Sequence, residues 1–273
     1  MTRLTEDMID EIPSTAGKRS DDLRKAVGMD LRTLAFKAIG EDPEDFDLSH
    51  YAAASVPITA GLGVIGGFSQ SVSAILENMG FTSFVTTKTD IDGIYEALEN
   101  EADIIFTADD VRYIAYNRRT GVYSDNSFAT AAGYTEALDG AAGGLRGKKV
   151  LVIGAGLVGT EAVRILTSKG ATVSVTDLVP VKAEKLAKNY HASAIASVEA
   201  AISSHKYILN ASPGLIPGRL IVEGAVISSP GVPFSFDAEG VAKARAIIHD
   251  PLDIGTAVMA AECVVSRKKV GRT

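Results

Sequence analysis

One segment limits the possible folds of this chain more than any other: Lys148-Lys-Val-Leu-Val-Ile-Gly154-Ala-Gly156-Leu-Val-Gly159-Thr-Glu161. Val150 to Ile153 is short, β-branched and apolar at every position, as a strand buried on both faces must be. A helical pattern follows, with Leu157, Val158, Ala162, Val163, Ile165 and Leu166 clustering on one side. Between the two, Gly154 permits a tight turn and Gly156 lets backbone N–H groups approach a pyrophosphate at the helix N-terminus. Gly159 lets helix and strand pack closely. A second apolar strand, Ala171 to Thr176, ends in Asp177, 18 residues beyond Gly159, where a carboxylate meets the adenosine ribose hydroxyls. This context selects a Rossmann dinucleotide unit over a glycine-rich turn that binds nothing. For Asp177 alone, a solvated loop carboxylate is the rival reading. Because a carboxylate repels a 2′-phosphate and Leu178-Val179-Pro180 supplies no Arg, NAD is expected rather than NADP. Lys182 is the one nearby residue that argues the other way.

With 273 residues and 46% hydrophobic content, the chain is long enough for two cores. A net charge of -7 argues against a nucleic-acid surface. The only basic cluster, Arg267-Lys268-Lys269 with Arg272, reads as a solvated tail. The single cysteine, Cys263, makes no internal disulfide or thiolate metal site, which suits a reducing cytoplasm. Glu6, Asp7, Asp10 and Glu11 break the charged-then-apolar order of a signal peptide, and no apolar run is long enough to span a bilayer.

The expected fold is α/β: N-terminal helices plus a small α/β substrate-binding domain over residues 1–140, then a doubly wound parallel Rossmann sheet over 141–273. Helices are expected from Thr5, from Asp21-Asp22 and over Leu31 to Ile39. Strand and helix then alternate in a small, mostly parallel sheet. The second half alternates more strongly through strands near Ala194, Tyr207, Ala225 and Ala246, and a helix from Ile254 to Val265 closes that domain. Ligands bind beyond the carboxyl ends of such strands. The loops there are Asn210-Ala211-Ser212-Pro213-Gly214, Ser229-Pro230-Gly231-Val-Pro233 and Asp250-Pro-Leu-Asp253-Ile-Gly255-Thr256. Ala211, Ser212, Pro213, Ser229, Pro230 and Gly255 join Gly154, Gly156, Leu157, Val158, Gly159 and Asp177 as expected cofactor contacts. The other reading of these loops is that they are ordinary turns.

In the first half, Thr59-Ala60-Gly61-Leu-Gly63-Val-Ile-Gly66-Gly67-Phe68-Ser69 follows the first strand. It reads as the wall of a substrate pocket, or else as a tight crossover turn with Phe68 in the core. Asp109 and Asp110 end a later strand, and adjacent carboxylates there suit an ammonium group, a solvated loop or a helix cap. His50, His191, His205 and His249 have no metal-ligand spacing, and His191 and His205 read as surface residues at helix ends. No Ser-His-Asp or Cys-His arrangement supports hydrolysis.

Taken together, these segments resemble the pyrrolysine biosynthesis dehydrogenases, the PylD family. The resemblance rests on Val56-Pro-Ile-Thr-Ala-Gly-Leu-Gly-Val-Ile-Gly-Gly-Phe-Ser-Gln-Ser71, Ala108-Asp-Asp110 and the glycine fingerprint. It continues through Ala211-Ser-Pro213, Ser228-Ser-Pro-Gly-Val-Pro233 and Asp250-Pro-Leu-Asp-Ile-Gly-Thr-Ala-Val-Met259. It implies an NAD-dependent oxidation of the terminal amine of 3-methyl-D-ornithyl-Nε-L-lysine, a lysine-ornithine isopeptide. The imine is hydrolysed with loss of ammonia, and the semialdehyde closes onto the ornithyl α-amine as the pyrroline ring of pyrrolysine. Substrate contacts implied by the resemblance fall on Leu4, Phe68 and Asp109, with Asp109 orienting the ammonium and taking at most a secondary part in proton transfer. Ala60 departs from a serine that the family can carry, so Thr59 is the candidate to replace that hydroxyl. Asp253 stands where a small residue is expected.

Two other readings compete with this one. A shikimate-type or methylene-tetrahydrofolate-type dehydrogenase shares the Asn210-Ala-Ser-Pro213 pattern but needs a Lys that the candidate pocket segments lack. A non-enzymatic NAD(H)-sensing module needs a partner-binding element that this acidic chain does not show. A homodimer is the default expectation for the assembly, with no metal, nucleic acid or membrane partner.

Overall fold

The computed structural model describes residues 4–265; the basic cluster Arg267, Lys268, Lys269 and Arg272 lies outside them. The chain divides into two compact units. One comprises the residues up to Asp22, Asp30–Ala129 and those from Leu252 onward; the other comprises Leu23–Met29 and Thr130–Pro251.

The first unit opens with a 3-10 turn, Glu6–Met8, at which Thr5 makes no side-chain cap. Helix α1 (Ile12–Val27) runs through Asp21 and Asp22, so no separate helix starts there. Nothing in that run breaks a helix until Gly28, whose φ of 79° ends it. Helix α2 (Leu31–Ala38) is capped by Asp30, whose carboxylate accepts from Thr33 N at 2.8 Å, a contact worth about 1 kcal/mol. Strand β1 (Ala52–Val56), helix α3 (Phe68–Met79), strand β2 (Thr82–Val85), helix α4 (Asp90–Glu99) and strand β3 (Ile104–Ala108) follow. Strands β4 (Tyr113–Asn117) and β5 (Tyr123–Asp125) complete a sheet of order β2-β1-β3-β4-β5.

Strand β1 pairs in parallel with both β2 and β3, whereas β4 and β5 add antiparallel. The expected mostly parallel sheet is therefore mixed, because the short links before β4 and β5 leave no room for a crossover helix. Its core includes Ile75, Leu76, Ile104 and Phe106, and Phe36 stacks on Phe46 at 4.9 Å.

Helix α5 (Asn126–Ala142) leads to strand β6 (Lys149–Ile153), helix α6 (Leu157–Ser168), strand β7 (Thr172–Thr176), helix α7 (Pro180–Asn189) and strand β8 (Ser193–Ala194). Helix α8 (Val198–Ser203), strand β9 (Tyr207–Asn210), strand β10 (Val226–Ser228), helix α9 (Ala238–Lys243) and strand β11 (Ala246–Ile248) follow. All pairings in this sheet are parallel, in the order β11-β10-β9-β6-β7-β8, the Rossmann arrangement in which chain order reverses between β6 and β9. Leu151, Ile153, Ile208 and Ile227 from the central strands pack with Ile202, Ile216 and Phe236 into one core.

The last helix, α10 (Asp253–Val264), does not close the second sheet as expected. It packs on α2, α3, β4 and β5 of the first unit. It is apolar almost all round, from Ile254 to Val264, so it needs cover on every side. Asp253 is 5% exposed and makes a double hydrogen bond to Arg19 (2.7 and 3.0 Å), tying the start of the chain to its end. The first unit is thus discontinuous in sequence, which a single cut at residue 140 does not capture. His205 is also buried rather than on the surface, with ring nitrogens 2.8 Å from Ala201 O and 3.0 Å from Ser174 Oγ. No described helix is long and apolar enough to cross a membrane.

Candidate functional site

In the second unit, the glycine fingerprint forms the turn between β6 and α6. Gly154 has φ 99°, and a Cβ there would sit 3.0 Å from the carbonyl oxygen of Ala211 in the loop after β9. A Cβ on Gly159 would fall 1.9 Å from the carbonyl oxygen of Gly154, so only glycine lets α6 approach this turn. Gly156 differs: a Cβ there meets nothing within 4 Å. It is the N-cap of α6 and offers no side-chain acceptor to the first amides of that helix. Those amides have no intrahelical partners and carry the positive end of the helix dipole. An open space over unpartnered amides is what a pyrophosphate requires, so these residues fit a dinucleotide.

Asp177 ends β7 and holds the same turn. One carboxylate oxygen accepts from Ala155 N and the other from Val179 N, both at 2.8 Å. Leu157 and Leu178, 75% and 89% exposed, flank this edge with apolar surface, and Val158 is half-buried.

At the ends of the later strands, buried Asn210 acts as a hub. Its Nδ2 donates to Ser229 Oγ and Ser235 Oγ, both at 3.1 Å, and its Oδ1 accepts from Ser212 N and Oγ at 3.2 and 2.7 Å. The loops carrying Ala211, Ser212 and Pro213 and carrying Pro230 are thereby locked together. A Cβ on Gly231 would lie 2.2 Å from Ser212 O, so the two loops are in backbone contact. Ser229 is fully buried, and its hydroxyl is part of this scaffold. Tyr134 fixes the third strand end, donating to Asp250 O at 2.5 Å and accepting from Asp250 N at 2.9 Å. Gly255 is helical and buried in α10, a helix of the first unit.

In the first unit, residues 59–67 form an exposed loop beyond β1. Thr59 is bound to Asp90, donating from N at 2.8 Å and from Oγ1 at 2.6 Å. Those two hydrogen bonds, the hydroxyl's first, hold the Asp90 carboxyl below its ordinary pKa. The Thr59 hydroxyl thus donates to Asp90. Asp110 turns back onto the loop and accepts from Leu62 N at 2.6 Å. The carboxylate of Glu6 lies against Gly66, within 2.7 Å of where a Cβ would be. Leu4, half-buried, precedes that Glu6 turn.

Phe68 begins α3 and meets Tyr113 edge-on, with ring centroids 5.3 Å apart. Tyr113 is buried and hydrogen-bonded to Thr256 at 2.9 Å, and burial pushes its phenol pKa up. Asp109 is exposed just beyond β3. Its Oδ1 accepts from Arg112 N at 2.7 Å and from Val111 N at 2.8 Å, and Oδ2 has no hydrogen-bond partner among the described residues. Those amides, Arg112's first, hold its carboxyl below the usual aspartate range. Leu62 and Val64 in the 59–67 loop and Val111 after Asp110 are exposed apolar side chains. The roles of Glu6 and Asp90 have no signal in the sequence, since both contacts join residues far apart in the chain. No metal-binding group of His, Cys, Asp or Glu occurs among the described residues.

Comparison with known proteins covers both units. Residues 8–124 match the model for the N-terminal domain of the pyrrolysine biosynthesis protein PylD. Residues 124–232 match that for the C-terminal domain of alanine dehydrogenase/PNT. The chain is 33% identical over 264 residues to pyrrolysine synthase of Methanosarcina barkeri, covering 95% of this chain and 97% of that one. It is 31% identical over 260 residues to pyrrolysine synthase of Methanosarcina acetivorans, covering 95% and 98%. Quinate dehydrogenase from Corynebacterium glutamicum, solved in complex with NAD, superposes with a TM-score of 0.53 over 80% of this chain and 94% of that one. At 13% identity, that likeness is one of fold alone.

Proposed function

Since the chain belongs to the pyrrolysine synthase (PylD) family, we propose that it is the NAD-dependent dehydrogenase that oxidises the terminal amine of 3-methyl-D-ornithyl-Nε-L-lysine. The substrate carbon loses hydride and the amine loses a proton, leaving an imine. Water replaces the imine nitrogen and releases ammonia, and the aldehyde condenses with the ornithyl α-amine, expelling water and closing the pyrroline ring. NAD, when bound, supplies the hydride acceptor.

The observation that carries the amine assignment is Asp109: an exposed carboxylate just beyond a strand, one oxygen fixed by two amides and the other without a partner among the described residues. Its lowered pKa keeps it charged at neutral pH and makes it a weak base, so its role is to orient the ammonium group. The amine proton then leaves to water. On the cofactor side, Gly156 leaves room for a pyrophosphate, and the Asp177 carboxylate supports NAD by accepting from ribose hydroxyls and repelling a 2′-phosphate.

NADH formation should be measured with the lysine-ornithine isopeptide, with shikimate and without substrate. Signal with the isopeptide alone is expected, and signal with shikimate in its place overturns the reading. Asp109→Asn removes a charge-assisted contact worth about 2–3 kcal/mol, roughly a 30- to 150-fold loss in kcat/KM, while NAD binding survives. Near-normal turnover in that variant counts against the assignment.

A further inference from the structure

The two adjacent aspartates after β3 do different work, although sequence treats them as one acidic pair. Successive side chains leaving a strand point to opposite sides, which separates the two carboxylates. Asp109 is exposed and is braced by the amides of its own turn. Asp110 turns onto the 59–67 loop, where Oδ2 accepts from Leu62 N at 2.6 Å. The same oxygen lies 2.1 Å from the position a Cβ on Gly61 would take, and Gly61 has φ 75°. The loop thus has a glycine where the carboxylate needs the space, and the next amide points at that carboxylate. A short hydrogen bond from an amide to an ionised acceptor is among the stronger ones available to a loop.

We propose that Asp110 is a positioning residue that fixes the backbone of the 59–67 loop, and so sets the wall against which the substrate rests. This rests on the reading that this loop lines the substrate site. The loop's start is held by Asp90 through Thr59, and Gly61, Gly63 and Gly67 all have positive φ, a conformation that glycine maintains only at an entropic cost. Between Thr59 and Gly66 the Asp110 carboxylate binds the loop at its middle, through the Leu62 amide. Ordering before substrate arrives lowers the entropy lost on binding, so removal of the pin appears in KM more than in kcat.

Full-length Asp110→Ala and Asp110→Asn variants test this by amide hydrogen exchange at Leu62 together with steady-state kinetics on the isopeptide. Asp110→Ala is expected to speed exchange at Leu62 about tenfold and to raise KM by a similar factor, with kcat and NAD binding little changed. Asp110→Asn keeps a carbonyl oxygen for the Leu62 amide and restores most of both. Unchanged exchange at Leu62 in Asp110→Ala overturns the pin. Faster exchange with unchanged KM leaves the pin but removes the loop from the substrate site, which overturns the positioning role. If the parent chain fails to turn over the isopeptide, the proposed reaction falls and the exchange arm alone decides whether Asp110 holds the loop.

Discussion

The three fingerprint glycines serve different ends, and alanine substitution separates them. At Gly159 a Cβ would sit 1.9 Å from Gly154 O and 2.9 Å from Gly154 C, both backbone atoms that cannot swing aside. An ordinary carbon–oxygen contact is about 3.3 Å, so α6 must retreat from the turn by more than an ångström. Overpacking of this kind costs about 3 kcal/mol, and for a chain of this size lowers Tm by roughly 6–12 °C. Gly156 has φ −81° and ψ −167°, extended backbone open to any residue, and a Cβ there meets nothing within 4 Å. Replacing a glycine N-cap with alanine costs roughly 0.5–1 kcal/mol, and reduced freedom of the unfolded chain returns about 0.4–1 kcal/mol. Gly156→Ala should therefore melt within a few degrees of the parent, yet its methyl group occupies the space over the α6 amides. NAD affinity should fall at least about tenfold, or roughly 1.4 kcal/mol. Thermal melts and calorimetric titration with NAD check both variants. A Gly156→Ala protein that binds NAD like the parent refutes the placement of the pyrophosphate. A Gly159→Ala protein of parental stability refutes the steric reasoning.

Asp177→Ser removes the carboxylate that accepts from Ala155 N. NAD binding should weaken about tenfold and the preference over NADP should shrink at least as much; an unchanged NAD-to-NADP ratio in competition titrations contradicts this. Arg19→Met leaves Asp253 buried without its partner and should cost about 2–4 kcal/mol. Chemical denaturation should show the Arg19→Met/Asp253→Ala double variant recovering much of that loss. Asp90 has its folded pKa depressed by Thr59. Its hold on the loop is therefore fully present above its unfolded pKa and lost as pH falls through the lower, folded value. The Thr59 amide resonance should accordingly be flat across neutral pH and titrate at a pH below the ordinary aspartate range.

What could be read from the sequence follows the range over which each interaction acts. The β6–turn–α6 unit is written in contiguous residues, because its strand, glycines and helix are neighbours and Asp177 is one crossover away. The alternation that gives the second sheet is equally local. Helix α10 could not be placed this way: its apolar surface says that it is buried, not against which sheet, and the pair that anchors it joins Arg19 to Asp253, 234 residues apart. Asp253 looked like an irregularity near a cofactor loop for the same reason. The antiparallel addition of β4 and β5 was within reach of loop length, but alternation suggested parallel strands. At the substrate loop, glycine density located the segment while leaving the occupants of the glycine spaces unknown; these proved to be Asp110 at Gly61 and Glu6 at Gly66.

Those occupants bear on the choice between the two dehydrogenase readings. The loop beyond β1 has the Asp110 carboxylate on its backbone at one point and the Glu6 carboxylate at another, while Asp109, next in sequence to Asp110, has one oxygen without a hydrogen-bond partner among the described residues. Leu62 and Val111, next to these contacts in sequence, are 79% and 73% exposed. Negative charge combined with bare aliphatic surface suits a long, flexible substrate with alkyl segments and several ammonium groups, which the isopeptide provides. Shikimate is a hydroxylated carboxylate, and residues 59–67 carry no Lys or Arg to receive it. The likeness in fold to quinate dehydrogenase therefore describes the scaffold, and the carboxylates at its strand ends favour an amine as the group oxidised.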